Sequence, residues 1–229
     1  MSTRLPSQKS SFPWFEILAG VFGLTLTAVF VIVGILGMLS LGQTLPVTSD
    51  KAYWFISRSS GVLAYLLLTL GVLWGLVQSG SILRSTIPVP LAFGLHSFLN
   101  WASVAMAALH ALILLGDNFI KMSLADIVIP FVGPYEPALV GLGIVGFYLM
   151  LLLSVSFYVR NHIGGQKTFR LLHYASYLAF LLVTWHSLGA GTDTRALWSL
   201  YIPSISGVIL LTIWRIGNAG RTATPVRSR

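Results

Sequence analysis

The chain has 229 residues, 55% of them hydrophobic and 9% charged, with a mean hydropathy of +0.84 and a formal net charge of +8. So few polar side chains cannot clothe a water-soluble globule, which excludes a soluble enzyme or binding module and places the chain in lipid. The surplus of Lys and Arg then reports membrane topology, with the anionic inner leaflet as its partner, and gives no reason to invoke nucleic acid.

In chain order, residues 1–15 read as an inner tail, followed by apolar runs at about 16–42, 53–79, 90–115, 138–160, 169–191 and 197–217. Each is long enough, at roughly 20 residues, to cross a hydrocarbon core of ~30 Å. The first exceeds a signal-peptide core and lacks a small-residue cleavage site, so it is expected to remain as a span. Pro88 and Pro90 precede the third, and Pro203 falls in the first turns of the sixth, where proline is tolerated. The expectation is an all-α, six-helix transmembrane bundle over 16–217 with a basic tail at 218–229 and no soluble domain.

An inner N-terminus gathers Arg4, Lys9, Arg84, Arg160, Lys167, Arg170, Arg215, Arg221, Arg227 and Arg229 on one side, leaving Lys51, Arg58, Lys121 and Arg195 outside. The positive-inside rule therefore selects both termini inside, in a multi-pass protein of the cell (plasma or inner) membrane. Trp14, Trp54, Trp198 and Trp214 near the span ends read as an aromatic belt. The outer connection 116–137 carries an apolar run ending at Pro130 and reads as an interfacial half-helix, either a connector resting on the bilayer or a lid.

Five histidines and no cysteine are present. Without cysteine there is no disulfide, no thiolate-held iron–sulfur cluster and no covalent heme attachment, so any heme is b-type and non-covalent. Four histidines lie inside apolar spans: His96 and His110, 14 apart on the third, and His173 and His186, 13 apart on the fifth. An imidazole in hydrocarbon is costly and points to function. Both spans run in the same direction, and a rise of about 1.5 Å per residue matches His96 with His173 and His110 with His186 in depth, the two levels about 20 Å apart. Each level offers two axial imidazoles to one iron, and such iron, having no open position, passes electrons without binding substrate. The 13-residue interval is awkward, because on a straight helix it leaves His173 and His186 about 140° apart, so that helix must tilt, bend or use opposite flanks. Small residues (Gly94, Ala102, Ser103, Ala105, Ala107 and Ala108 on the third span; Ala175, Ser176 and Ala179 on the fifth) leave room for a flat macrocycle or for close helix packing.

The segments FRLLHYASYLAFLLVTWHSLGAGTD, LHSFLNWASVAMAALHALILLGD and SRSSGVLAYLLLTLGVLWGL resemble the ferric reductase-like transmembrane domain, and the resemblance spans roughly 53–215. That superfamily includes ferric-chelate reductases, NADPH oxidases and the heme-binding membrane subunit of the methionine-sulfoxide reductase system. The resemblance implies His96, His110, His173 and His186 as axial ligands of two b hemes. The flavin and nicotinamide module of the oxidases is missing, so by size the chain is closer to the methionine-sulfoxide reductase subunit. Its donor would be a separate cytosolic flavin reductase or quinol, and its acceptor an outer-face reductase or ferric chelate.

Arg58, level with the outer pair, and Arg170, one turn before His173, are candidates for heme propionates through charge-assisted hydrogen bonds; the alternatives are snorkelling for Arg58 and a topology-setting flank for Arg170. His162 reads as an exposed loop residue or a donor-docking one, and Phe180 and Tyr177 as core packing or as a bridge between macrocycles. The competing functions are a single-heme or quinol-linked subunit of a periplasmic reductase, a non-heme transporter or proton relay, and a membrane anchor. No intramembrane Asp or Glu accompanies the histidines to favour a relay, Glu16 alone coming close.

Overall fold

The computed structural model describes residues 49–79, 88–117, 120–191 and 194–218. The expected first span at 16–42 lies outside the described residues, as do the tails, Trp14 and Arg84. Among the described residues all regular structure is helical: α1 (Ser49–Ser79), α2 (Val89–Ile113, extended by a 3-10 turn Leu114–Gly116), α3 (Leu124–Val128), α4 (Pro137–Val159), α5 (Gly165–His173), α6 (Ala175–Ala190) and α7 (Trp198–Asn218).

Among the described residues four stretches are long and apolar enough to cross a membrane: Ala52–Ser79, Val89–Gly116, Pro137–Val159 and Trp198–Asn218; the expected span over 169–191 is not one of them. Prolines mark the starts of two of them. Pro88 caps α2 with Pro90 in its first turn, and Pro137 opens α4, positions where a missing N–H costs no helical hydrogen bond. Pro203 sits inside α7 without ending it. Hydroxyls in the spans turn back on their own helices, as Ser60 Oγ donating to Ile56 O at 2.7 Å and Thr212 Oγ1 to Val208 O at 2.7 Å, which keeps them paired in an apolar setting.

The expected helix over 169–191 is two helices, α5 and α6, joined at Tyr174. The Tyr174 N–H bonds to Leu171 O at 3.2 Å and the Tyr177 N–H to Tyr174 O at 3.2 Å, both three-residue steps. Such steps turn the chain about 120° per residue, against 100° in an α-helix. The overwinding moves His173 and His186 from about 140° apart toward a common face.

Two antiparallel pairs, α1 with α2 and α4 with α6, form the body of the bundle, and α1 also packs on α6 and α7. Their common core centres on Tyr65, Trp101, Phe180 and Tyr201. Tyr65 is 1% exposed, stacks on Phe180 at 6.0 Å and meets the Tyr201 ring edge-on at 5.1 Å. Tyr177 packs at the margin of this core, so both aromatics singled out on α6 take part in packing. Trp54, Trp198 and Trp214 lie near helix ends, the last two on the surface at opposite ends of α7.

Candidate functional site: two histidine pairs

The four histidines that the sequence places in apolar stretches come together in two pairs. The His96 and His173 rings are 6.0 Å apart between centres, inclined at 64°, and the His110 and His186 rings 6.1 Å apart, inclined at 71°. Since α2 carries one member of each pair and α5–α6 the other, these segments run parallel, and the pairs lie at two levels along the bundle.

Three of the rings are held by the same device. His110 Nδ1–H donates to Ser57 O at 2.7 Å, His96 Nδ1–H to Gly71 O at 3.1 Å, and His186 Nδ1–H to Leu139 O at 3.0 Å. A carbonyl can only accept, so in each ring Nδ1 carries the proton and Nε2 keeps its lone pair for another partner. In every case the residue four positions after the acceptor is a glycine pressed against the same ring. A β-carbon on Gly61 would lie 2.9 Å from His110 Nδ1, one on Gly75 3.1 Å from His96 Cε1, and one on Gly143 2.8 Å from His186 Cγ. A helical carbonyl points toward residue i+4, so a side chain there would block a ring arriving from the next helix. Glycine opens the window through which the imidazole reaches the backbone.

His173 lacks this arrangement. Its Nδ1 is buried without a hydrogen-bond partner, its ring rests on Phe169 at 5.4 Å, and Phe169 leans on Phe157 of α4 at 5.9 Å. The guanidinium of Arg215 lies 5.9 Å from the centre of the adjacent Tyr174 ring, close enough for its charge to act on His173. At the same level His96 Nε2 accepts from Asn100 Nδ2 at 3.1 Å.

The stripe of α2 that bears the histidines faces α1. Ser103, midway between them, is fully buried and donates to Ala64 O at 2.8 Å, and Ala107 packs against the cluster of Ala64, Met106 and Leu109. These small residues serve helix contact, whereas nothing lies within 4 Å of the Gly94 Cβ direction. Arg58, next to Ser57 at the His110 level, lies over the Trp54 ring at 4.3 Å. Arg170 and His162 are exposed at the opposite end of the bundle, near the His96 level.

Sequence reasoning missed Gly61, Gly75, Gly143 and Asn100. The first two are 14 residues apart, the spacing of His96 and His110, and Asn100 follows His96 by one helical turn. Matching intervals on adjacent antiparallel spans were the available signal.

The arrangement fits a metal that brings its own in-plane ligands. Two imidazoles bound on opposite sides of one ion at about 2 Å per bond place their ring centres about 6 Å apart, which is the separation in both pairs. Among the described residues no cluster of three or more His, Asp or Glu is assembled, so two imidazoles are the protein's offer at each level. No family model, curated protein or solved structure matches this chain.

Proposed function

We propose that this chain is a b-type heme-binding membrane subunit of the ferric reductase-like kind, carrying electrons across the cell membrane between an inner-face donor and an outer-face acceptor. In this reading 16–42 and the α5–α6 pair are the two further spans of a six-span bundle with both termini inside. His96 and His173 are the axial ligands of the inner heme, and His110 and His186 those of the outer. The observation that carries the reading is the repeated pair of facing imidazoles, three of the four fixed by a backbone carbonyl through Nδ1. Metal-bound histidines ordinarily use the second ring nitrogen in this way, which sets the tautomer and orients the ring.

Iron porphyrin held at the two levels supplies one-electron chemistry without an open coordination site. The chain's own contribution is positional. The carbonyls of Ser57, Gly71 and Leu139 aim Nε2 of three ligands, and the glycine windows let the rings approach. The Tyr65, Phe180 and Tyr201 core excludes water from the space between α1, α6 and α7. Arg58 at the outer level and Arg170 at the inner would bind heme carboxylates. Flavin or quinone enters through a partner, such as a cytosolic flavin reductase or quinol, and the acceptor is a reductase or ferric chelate.

A single-heme version is the second reading. It is favoured by the unpartnered Nδ1 of His173, which leaves one level less firmly built than the other.

Reduced-minus-oxidised spectra and the heme-to-protein ratio of purified protein test both. Two hemes per chain, falling to one in His110→Ala or His96→Ala, are the expected result. One heme, lost only in His110→Ala and His186→Ala, selects the second reading. Colourless protein from heme-replete cells defeats both.

A further inference from the structure

The connection between α2 and α4 does not lie across the end of the bundle. It descends alongside α4. The Tyr148 hydroxyl donates to Val128 O at 2.5 Å, and the Phe131 ring fills the notch left by Gly141. Tyr148 is eleven residues into α4, about 16 Å along its axis, and Gly141 four residues in, about 6 Å. A tyrosine on a helix leans toward the N-terminal end, yet Val128 still lies well below the start of α4. The half-thickness of a hydrocarbon core is about 15 Å, so the tip of this segment reaches acyl-chain depth if α4 crosses the membrane.

The chemistry of the segment agrees with that depth. Val128, Ile129, Phe131 and Val132 are half-exposed, and they continue the exposed apolar side of α4 that begins at Tyr148 and Leu152. Asp126 packs beside Gly133 and is tied to Ser123 by a reciprocal capping box, which pairs its carboxyl with the Ser123 hydroxyl and N–H. Non-helical backbone at membrane depth is tolerated where it is held against protein, and this segment is held against α4 at two points. Val128 O has the Tyr148 hydroxyl, and the Ile129 N–H has Ala125 O at 2.8 Å. Tyr148 is the one side chain with a polar atom in the first fifteen residues of α4, and it bonds this carbonyl in place of one on its own helix. Phe131 adopts φ of 69°, a left-handed conformation that a bulky side chain rarely takes, and its ring contact with Gly141 compensates for the strain.

We infer that residues 120–136 form a re-entrant segment whose apolar tip, Val128 to Val132, is covered by lipid acyl chains of the leaflet at the His110–His186 end, with Tyr148 as its anchor.

The absence of cysteine allows a single nitroxide label to be placed in the full chain in liposomes at Ile129→Cys, with Ser123→Cys as the boundary reference. The label at 129 should collide several-fold more with oxygen, and several-fold less with an aqueous nickel chelate, than the label at 123. Adding Tyr148→Phe, which keeps the ring and removes the hydroxyl, should raise nickel access at 129 while helical content is unchanged. Equal nickel access at 129 and 123 would overturn the inference. So would spin–spin broadening at 129 that disappears on dilution with unlabelled protein, which would make the cover a second copy of the chain.

Discussion

The two histidine levels use the same kinds of part to different degrees of completion. At the level of His110 and His186 both rings are tied to carbonyls of neighbouring helices, and both lie in glycine windows. At the level of His96 and His173 only His96 has that support, its Nε2 is engaged by Asn100, and the charge of Arg215 stands near His173. At one level both rings are anchored to backbone; at the other only one is, and a second cation, Arg215, stands beside Tyr174. Equal ring separations therefore conceal unequal second neighbours, which orient a metal ligand and set the electronic character of what it binds.

The largest effect that would break this comparison comes from closing the windows. Gly143→Ala and Gly61→Ala place a carbon 2.8 and 2.9 Å from ring atoms, too close without movement of an imidazole, whereas Gly75→Ala meets its ring at 3.1 Å. The first two should each cost about 1–3 kcal/mol of stability and empty their level in a heme-to-protein assay, and Gly75→Ala should do less on both counts. A Gly75 variant as damaging as the others would remove the claimed inequality.

Next in size is Asn100→Leu. It frees His96 Nε2 from a hydrogen bond worth about 1 kcal/mol, so heme affinity at that level should rise roughly five-fold in a Soret titration of the His110→Ala background. The same change made in His96→Ala protein should be silent.

Arg215→Gln sharpens the electrical difference. A nearby positive charge favours the reduced, less positive iron, so its removal should shift the midpoint potential of the His96–His173 level negative and leave the other in place. The shift should stay under about 1 kcal/mol because Arg215 is partly open to solvent. Potentiometric titration in single-level variants reads both values.

The smallest effect belongs to the capping box of Ser123 and Asp126. The Ser123 hydroxyl and N–H hold the Asp126 carboxyl below the usual carboxylate range. Its support is therefore present above the ordinary aspartate pKa and lost as pH falls through the lowered folded value. Amide protection factors at Asp126 and Ile129, corrected for the intrinsic pH dependence of exchange, should be flat through neutral pH and fall only in acid, and Ser123→Ala should remove that fall.

The spans visible to the structure were legible in the sequence to within a few residues, because lipid imposes one rule on length and polarity. The helix starting at Pro137 and the one ending at Ser79 lie where hydropathy put them. The depth match of the histidines was equally legible, since it needs only helix direction and rise. The junction at Tyr174 was not, because no proline or glycine marks it; the 13-residue interval alone hinted that the helix could not be regular. The glycine windows escaped notice because a window is a relation between two helices. Gly61 says nothing until His110 is laid against it.

The windows also bear on how the protein is made. His96 and His110 both find their carbonyls on α1, the helix immediately before them in the chain, so one half of each pair can be completed within a single hairpin as it leaves the insertion machinery. Neither imidazole then faces lipid unpaired while later helices are being synthesised. The matching halves arrive only with α5 and α6, so under the proposed function cofactor capture would be a late event, governed by the docking of a finished hairpin against a newly made pair.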